Sequence, residues 1–144
     1  MIIETPERPK QRKHTPSESA IQMSCVQWLW QAHPETRGLY IAIPNENSRS
    51  GELSKKAQLL TGAIRKNMGV TPGVADTALF MQRGLYGALF IEFKTEKGLQ
   101  SKAQEWWQDA VQFQGYKYVV VRSLEQFKEV IEEYLNLETK WQKI

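Results

Sequence analysis

The chain has 144 residues, of which 41% are hydrophobic and 24% are charged, values typical of a soluble globular protein. Its net charge of +3 and pI near 9.0 weakly favour a polyanionic partner. Cys25 is the only cysteine, which excludes an internal disulfide and a cysteine-based zinc site. A water-soluble domain with mildly basic character is therefore expected.

No run of about 18 apolar residues occurs, so the sequence predicts no membrane span. Residues 1–14 are polar and charged, contain Pro6 and Pro9, and lack the apolar stretch of a signal peptide. We expect a disordered basic arm over 1–14 and a single domain over 15–144. The expected location is inside the cell, in the cytoplasm.

Helix and strand signals alternate along the domain. Thr15 is a candidate N-cap, with Glu18 closing a capping box, for a first helix that ends near His33. The later predicted elements are a strand over 39–43, a helix over about 52–68, strands over 75–81 and 88–94 with a hairpin connection at 83–86, a helix from Ser101 to about Phe113, a strand over 117–122 and a helix capped by Ser123. This order predicts an α/β fold with a mixed β-sheet flanked by helices.

The predicted hairpin brings charged side chains together. If its turn centres on Gly84 and Leu85, Asp76 lies opposite or nearly opposite Glu92. Because side chains alternate between the two faces of a strand, Glu92 and Lys94 share one face. Opposed like charges destabilise a strand pair, so folding alone does not favour this arrangement.

Two adjacent carboxylates suit a divalent cation such as Mg²⁺, which takes oxygen ligands. Asp76, Glu92 and the backbone carbonyl of Phe93 are the candidate ligands. Lys94 either holds the attacking water or balances charge on a phosphate. Such a site fits phosphodiester hydrolysis. The alternative is an exposed ion pair between Glu92 and Lys94 at the end of a strand.

Several stretches, in this order, resemble the virus-type replication-repair nuclease (VRR-NUC) domain of the PD-(D/E)XK nuclease superfamily. They are residues 44–49, 73–76, 87–98, 101–104 and 115–123. The similarity spans roughly residues 18–130. Ala75 stands where the family usually has proline, which is a backbone feature and leaves the chemistry intact.

The resemblance implies a restriction-endonuclease-like fold and a Mg²⁺- or Mn²⁺-dependent DNA endonuclease whose catalytic core is Asp76, Glu92 and Lys94. It also implies a helper acid or amide on the first helix. Glu18 and Gln22 are the candidates there, one turn apart on one face. Glu18 is slightly ahead because a carboxylate binds hard cations better than an amide does.

Other residues are candidates for contacts with the catalytic core or with DNA. Gln104 matches a recurring glutamine of the family that orients Lys94 or a phosphate, unless it is an ordinary polar residue of a helix surface. The candidate DNA-contacting residues are Asn45, Asn47, Arg49, Arg65 and Lys66. For each of them, a solvent-exposed turn or helix face is the alternative.

Family members occur in phages and mobile elements, and some act on branched DNA as homodimers. The resemblance therefore implies DNA as a partner, with a homodimer and junction resolution as further expectations. The alternative function from another class is a DNA-binding module without catalysis. The intact set of Asp76, Glu92 and Lys94 argues against that alternative.

Overall fold

The computed structural model describes residues 13–44 and 54–139. Most of the predicted arm lies outside these residues, as do the three loop candidates Asn45, Asn47 and Arg49. None of the helices in the described ranges is long and apolar enough to cross a membrane.

In the described part of the chain, one sheet has four strands in the order β1-β2-β3-β4. The strands are β1 (Tyr40–Ala42), β2 (Thr77–Leu79), β3 (Leu89–Phe93) and β4 (Lys117–Val121), and the helices are α1 (Glu18–Ala32), α2 (Lys55–Asn67), α3 (Lys102–Phe113) and α4 (Leu124–Leu135), with a short 3₁₀ helix at Pro34–Thr36. Strands β1 and β3 each pair with β2 in the antiparallel sense, and β4 is parallel to β3 through the α3 crossover. The predicted α/β fold with a mixed sheet and flanking helices is confirmed.

Strand β3 is buried on both faces, as its apolar sequence predicts for a central strand. Leu89, Ile91 and Phe93 pack into the core formed with α1 and α4. Phe90 belongs to a second core cluster with Tyr118, on the side covered by α3. Side chains at positions 90 and 92 therefore face α3, and the charged residue of this strand enters a largely apolar layer.

The first helix begins later than predicted, so the capping box of Thr15 and Glu18 is wrong. Ser17 is the N-cap, and its hydroxyl accepts a hydrogen bond from the Ala20 N–H at 3.2 Å. Thr15 and Ser17 both carry a hydroxyl that can cap a helix, and Ser17, which directly precedes the first helical residue, is the N-cap. Glu18 is thereby the first helical residue.

Other boundaries differ by a few residues. Ser54 caps α2. Strand β2 spans only Thr77–Leu79 of the predicted 75–81, so Asp76 lies just before its paired residues. Two apolar side chains on α2 are exposed, Leu60 at 65% and Ile64 at 51%. The helix is confirmed, but its apolar side is not covered by the described residues.

His33 joins the end of α1 to α4. Its Nε2 lies 2.7 Å from a carboxylate oxygen of Glu132, and its Nδ1 lies 3.2 Å from one of Glu35. Burial by itself lowers the pKa of His33, but the two carboxylates outweigh this effect and raise the pKa above the ordinary 6.5. The folded state therefore favours protonated His33.

Replacing His33 tests this pH dependence. A raised pKa in the folded state stabilises the fold fully below the unfolded pKa, and this contribution disappears as pH rises through the folded pKa. We expect His33→Gln to lower the free energy of unfolding by about 0.5–1 kcal/mol at pH 5.5 and by less at pH 9. Thermal unfolding at both pH values measures the difference, and an equal loss at both would contradict it.

Candidate active site

Asp76 and Glu92 face each other across the β2–β3 pair. The register joins Thr77 to Ile91, and extending it by one position joins Asp76 to Glu92. The Phe93 N–H donates to Oδ2 of Asp76 at 2.7 Å, which fixes the aspartate beside the end of β3. The predicted opposition of the two carboxylates is confirmed.

Glu92 is 1% exposed and lies at the centre of the site. Its Oε1 accepts a hydrogen bond from Nε2 of Gln104 at 2.7 Å and lies 3.8 Å from Nζ of Lys94. Its Oε2 is buried and has no hydrogen-bond partner in the described ranges. Because both Glu92 and Lys94 are buried, the alternative of an exposed ion pair is wrong.

The electrostatics of Glu92 disfavour its charged form in the metal-free protein. Burial, followed by the charge of Asp76, raises the pKa of Glu92 to about 8, although Lys94 partly opposes both effects. A divalent cation between the two carboxylates would reverse this balance. The unpartnered Oε2 and the facing Asp76 carboxylate together fit such an ion.

The side chain of Gln104 both caps α3 and contacts Glu92. Its Oε1 accepts from the Ser101 N–H at 2.8 Å, while the Ser101 hydroxyl accepts from the Gln104 N–H at 3.2 Å, forming a capping box. The amide nitrogen of the same side chain then donates to Glu92. This contact with Glu92 excludes the alternative of an ordinary polar residue on a helix surface, while the expected role of Gln104 toward Lys94 or a phosphate stays a prediction.

The turn before Asp76 fixes the position of α3. Gly73 has a φ of +80°, and a Cβ there would lie 2.3 Å from the carbonyl carbon of Ala103 and 2.7 Å from the Gln104 nitrogen. The turn and the first turn of α3 are thus in direct backbone contact. This contact keeps Gln104 within reach of Glu92, a role of Gly73 that the sequence alone does not predict.

Arg122 fixes the loop that follows Lys94. Its Nη1 donates to the carbonyl oxygens of Thr95 at 2.8 Å and Gly98 at 2.6 Å, and the Lys94 N–H donates to the Val121 carbonyl at 3.0 Å. The sequence does not predict this role either, because nothing local marks an arginine after a strand as the donor to a distant loop.

All six candidate catalytic side chains line one cleft of about 1050 Å³. They are Glu18 and Gln22 from α1, Asp76, Glu92 and Lys94 from the hairpin, and Gln104 from α3. Arg65 and Lys66 lie in the last turn of α2, outside this lining, and residues 69–74 lead from that helix into the cleft.

The described residues contain no group of three or more His, Cys, Asp or Glu side chains arranged to hold a metal. A cation at Asp76 and Glu92 would therefore complete its shell with a carbonyl, water and substrate. Mg²⁺ is commonly bound in this way, through one or two carboxylates, waters and phosphate oxygens. The donor set fits Mg²⁺ or Mn²⁺ and not a zinc site of nitrogen and sulfur ligands.

The burial of Glu92 predicts a pH-dependent stability. A carboxyl whose pKa is raised in the folded state destabilises the fold increasingly as pH rises from the unfolded value of 4.5 to about 8. We expect metal-free Glu92→Gln to be more stable than the wild type at pH 8.5 by at least about 1 kcal/mol, and by much less at pH 4.5. Denaturant unfolding in EDTA measures this, and a variant less stable at pH 8.5 would contradict it.

Gly73→Ala tests the contact between the turn and α3. We expect it to destabilise the protein by roughly 2–4 kcal/mol, because a backbone clash adds to the strain of positive φ. Gly115→Ala is the matched control, since Gly115 has a φ of +89° with nothing within 4 Å of its Cβ position. Urea unfolding compares the two variants. Equal losses would show that the close approach at Gly73 contributes nothing.

Comparisons with known proteins agree with this fold. A solved structure of a "VRR_NUC domain protein" superposes with a TM-score of 0.71 at 23% sequence identity, covering 88% of this chain and 93% of that chain. No protein-family model and no curated protein matches the chain. The resemblance read from the sequence motifs is thus confirmed at the level of the fold: this chain folds like a VRR_NUC domain protein.

Proposed function

We propose that this protein is a nuclease of the VRR-NUC type, a Mg²⁺- or Mn²⁺-dependent endonuclease that hydrolyses phosphodiester bonds in DNA. One observation carries the proposal. The buried Oε2 of Glu92 has no hydrogen-bond partner in the described ranges, and it belongs to a carboxylate that faces Asp76 in the same cleft as Lys94. Such a cluster destabilises the metal-free fold, and a cation bound between the two carboxylates would offset that cost.

Asp76 and Glu92 would hold the cation, with the Phe93 carbonyl as a third ligand. The N–H and C=O of one residue leave an extended strand on the same side. Because the Phe93 N–H reaches Asp76, its carbonyl also faces that side. When bound, the cation would lower the pKa of the attacking water and stabilise charge on the phosphate.

Lys94 is the positively charged side chain that the protein contributes to the site. It is buried beside Glu92 and lines the cleft. In this position its ammonium group can hold the attacking water or a phosphate oxygen while negative charge develops in the transition state. The neighbouring carboxylate and the loop fixed by Arg122 keep the lysine in place.

The first helix supplies a helper group. Glu18 and Gln22 both line the cleft. Glu18 also adds, after burial and Asp76, to the effects that raise the pKa of Glu92, so its carboxylate acts on the cluster electrostatically. This supports Glu18 over Gln22 as the helper ligand or base.

The resemblance extends the proposal to branched DNA, a homodimer and a role in phage or mobile-element DNA metabolism. Basic residues Arg65 and Lys66 lie on α2, which connects directly to the segment lining the cleft. Contact of these residues with DNA phosphates suits that placement. Mass photometry with and without a four-way junction tests for a dimer.

A cleavage panel of linear, flap and four-way DNA tests the function. We expect cleavage with Mg²⁺ or Mn²⁺ and none in EDTA. Asp76→Ala and Glu92→Gln are expected to lose at least about 100-fold in rate, and Lys94→Ala to lose most turnover with DNA affinity retained. Asp109→Ala removes an exposed carboxylate of α3 and is the matched control, expected to keep the wild-type rate.

The second candidate function, a DNA-binding module without catalysis, rests on the basic residues Arg65 and Lys66 of α2. It predicts DNA binding that is unchanged by EDTA and no cleavage of any substrate. That outcome, or full cleavage by Glu92→Gln, would contradict the nuclease assignment.

Glu18→Gln and Gln22→Ala decide the helper residue. We expect Glu18→Gln to reduce the cleavage rate about 10-fold or more and to raise the metal concentration needed for half-maximal rate, since the lost charge weakens cation binding. Gln22→Ala should have a smaller effect. Metal titrations of cleavage measure both. If both variants keep the wild-type cleavage rate and metal dependence, neither Glu18 nor Gln22 serves the site and α1 has only a structural role.

A further inference from the structure

Trp106 is a large aromatic side chain that remains exposed on α3. It is 66% exposed, whereas its neighbour Trp107 packs against Phe90 with the ring centroids 4.8 Å apart. Trp30, another exposed tryptophan, has the guanidinium group of Arg37 over its ring at 5.4 Å. Within the described ranges, no aromatic ring stacks on Trp106 and no cation lies over it. The face of this indole ring is therefore available to a planar group from outside the protein.

The position of Trp106 on α3 places it next to the cleft. Residues three and four apart are neighbours on a helix surface. Trp106 is three residues after Ala103, which lines the cleft, and four residues after Lys102. By the same spacing, Lys102, Trp106, Asp109 and Phe113 share one exposed side of the helix, which we call the α3 stripe. The α3 stripe begins beside the cleft and leads away from it.

Positive charge lies at the end of the α3 stripe that adjoins the cleft. Lys97, in the loop that leads to α3, and Lys102, the first residue of α3, are both exposed. In the part of the chain that the structure describes, neither lysine forms an ion pair. Arg122 adds a third positive charge here, since its Nη1 donates to three backbone carbonyl oxygens between residues 95 and 98. These contacts also fix the loop that carries Lys97.

The carboxylates nearby do not cancel this charge. Glu96 lies in the loop that Arg122 contacts. Glu105 directly precedes Trp106, so it projects about 100° away from it around the helix axis. Asp109 lies beyond Trp106, on the side away from the cleft. A polyanion that leaves the cleft along the α3 stripe would therefore contact the two lysines first and the indole ring next.

We propose that Trp106, Lys97 and Lys102 form a binding surface for unpaired nucleotides of a DNA strand that continues out of the cleft. An indole ring stacks on bases of any sequence, and lysines beside it contact the flanking phosphates. In a closed duplex the bases stack on one another, so their faces are not accessible to the indole. The surface thus favours DNA with an unpaired strand beside the cleavage point. This inference rests on the proposed function and specifies the substrate of the same site.

The first test measures DNA binding by fluorescence anisotropy in EDTA, where no cleavage is expected. The probes are a fluorescein-labelled oligothymidylate and a blunt duplex of the same length. We expect Trp106→Ala to bind the oligothymidylate about 10-fold more weakly than the wild type and the duplex about equally well. Trp106→Phe keeps an aromatic ring and should retain most of the affinity. Trp30→Ala is the matched control and should bind both probes like the wild type.

The second test measures the salt dependence of oligothymidylate binding. Each phosphate contact that is lost lowers the slope of log affinity against log salt by about 0.7 for a single strand. We expect this decrease in Lys97→Gln and in Lys102→Gln. Lys117→Gln is the control, because Lys117 lies over the Tyr86 ring at 5.1 Å and pairs with the start of β3, at the opposite end from Glu92. Unchanged slopes in both test variants would overturn the role of the lysines.

The outcomes separate this surface from the proposed function. Wild-type affinity of Trp106→Ala for the oligothymidylate, or an equal loss on the duplex, would overturn the stacking role. If mass photometry shows a wild-type dimer that Trp106→Ala dissociates while oligothymidylate binding is unchanged, the surface binds a second copy of this chain and the proposal is wrong. A wild type that binds the oligothymidylate through Trp106 but cleaves no DNA would overturn the nuclease function and support the surface.

Discussion

The burial of one carboxylate organises this protein. Glu92 lies on the central strand between an antiparallel and a parallel neighbour, almost fully removed from water and opposite a second carboxylate. A carboxylate in such a place is costly unless it is paired, protonated or bound to a cation. Burial and Asp76 raise its pKa to about 8, so in the metal-free fold the neutral form is favoured at neutral pH. The charged form of Glu92 is therefore costly in this fold, and a bound cation would offset that cost.

The surrounding elements serve to hold this group in place. The capping glutamine of α3 donates to Glu92, so the start of the helix and the site form one hydrogen-bonded unit. Gly73 lets the turn before Asp76 contact the same helix end, and Arg122 fixes the loop after Lys94. Each contact joins a different segment to the site. A catalytic geometry assembled from separate segments depends on such supporting contacts.

The sequence predicts those features of the fold that depend on local residue patterns. Period-two alternation and the turn position place Asp76 opposite Glu92, and Ser101 marks the start of α3 correctly. Contacts set by the tertiary packing were not predictable: the hydrogen bond from Gln104 to Glu92 depends on how α3 crosses the sheet. The N-cap of α1 was assigned two residues early because two hydroxyl residues compete locally. The exposed apolar side of α2 was also unexpected, since periodicity predicts a helix but not what covers it.

A crystal structure of the protein grown with Mn²⁺, with anomalous diffraction collected at the manganese edge, tests the central claim most directly. We expect an anomalous peak between Asp76 and Glu92, about 2.0–2.3 Å from one carboxylate oxygen of each residue and from the Phe93 carbonyl oxygen. We also expect the peak to be absent in Glu92→Gln under the same conditions. A saturated wild-type crystal with no peak at these carboxylates, or with its peak elsewhere in the cleft, would contradict the account.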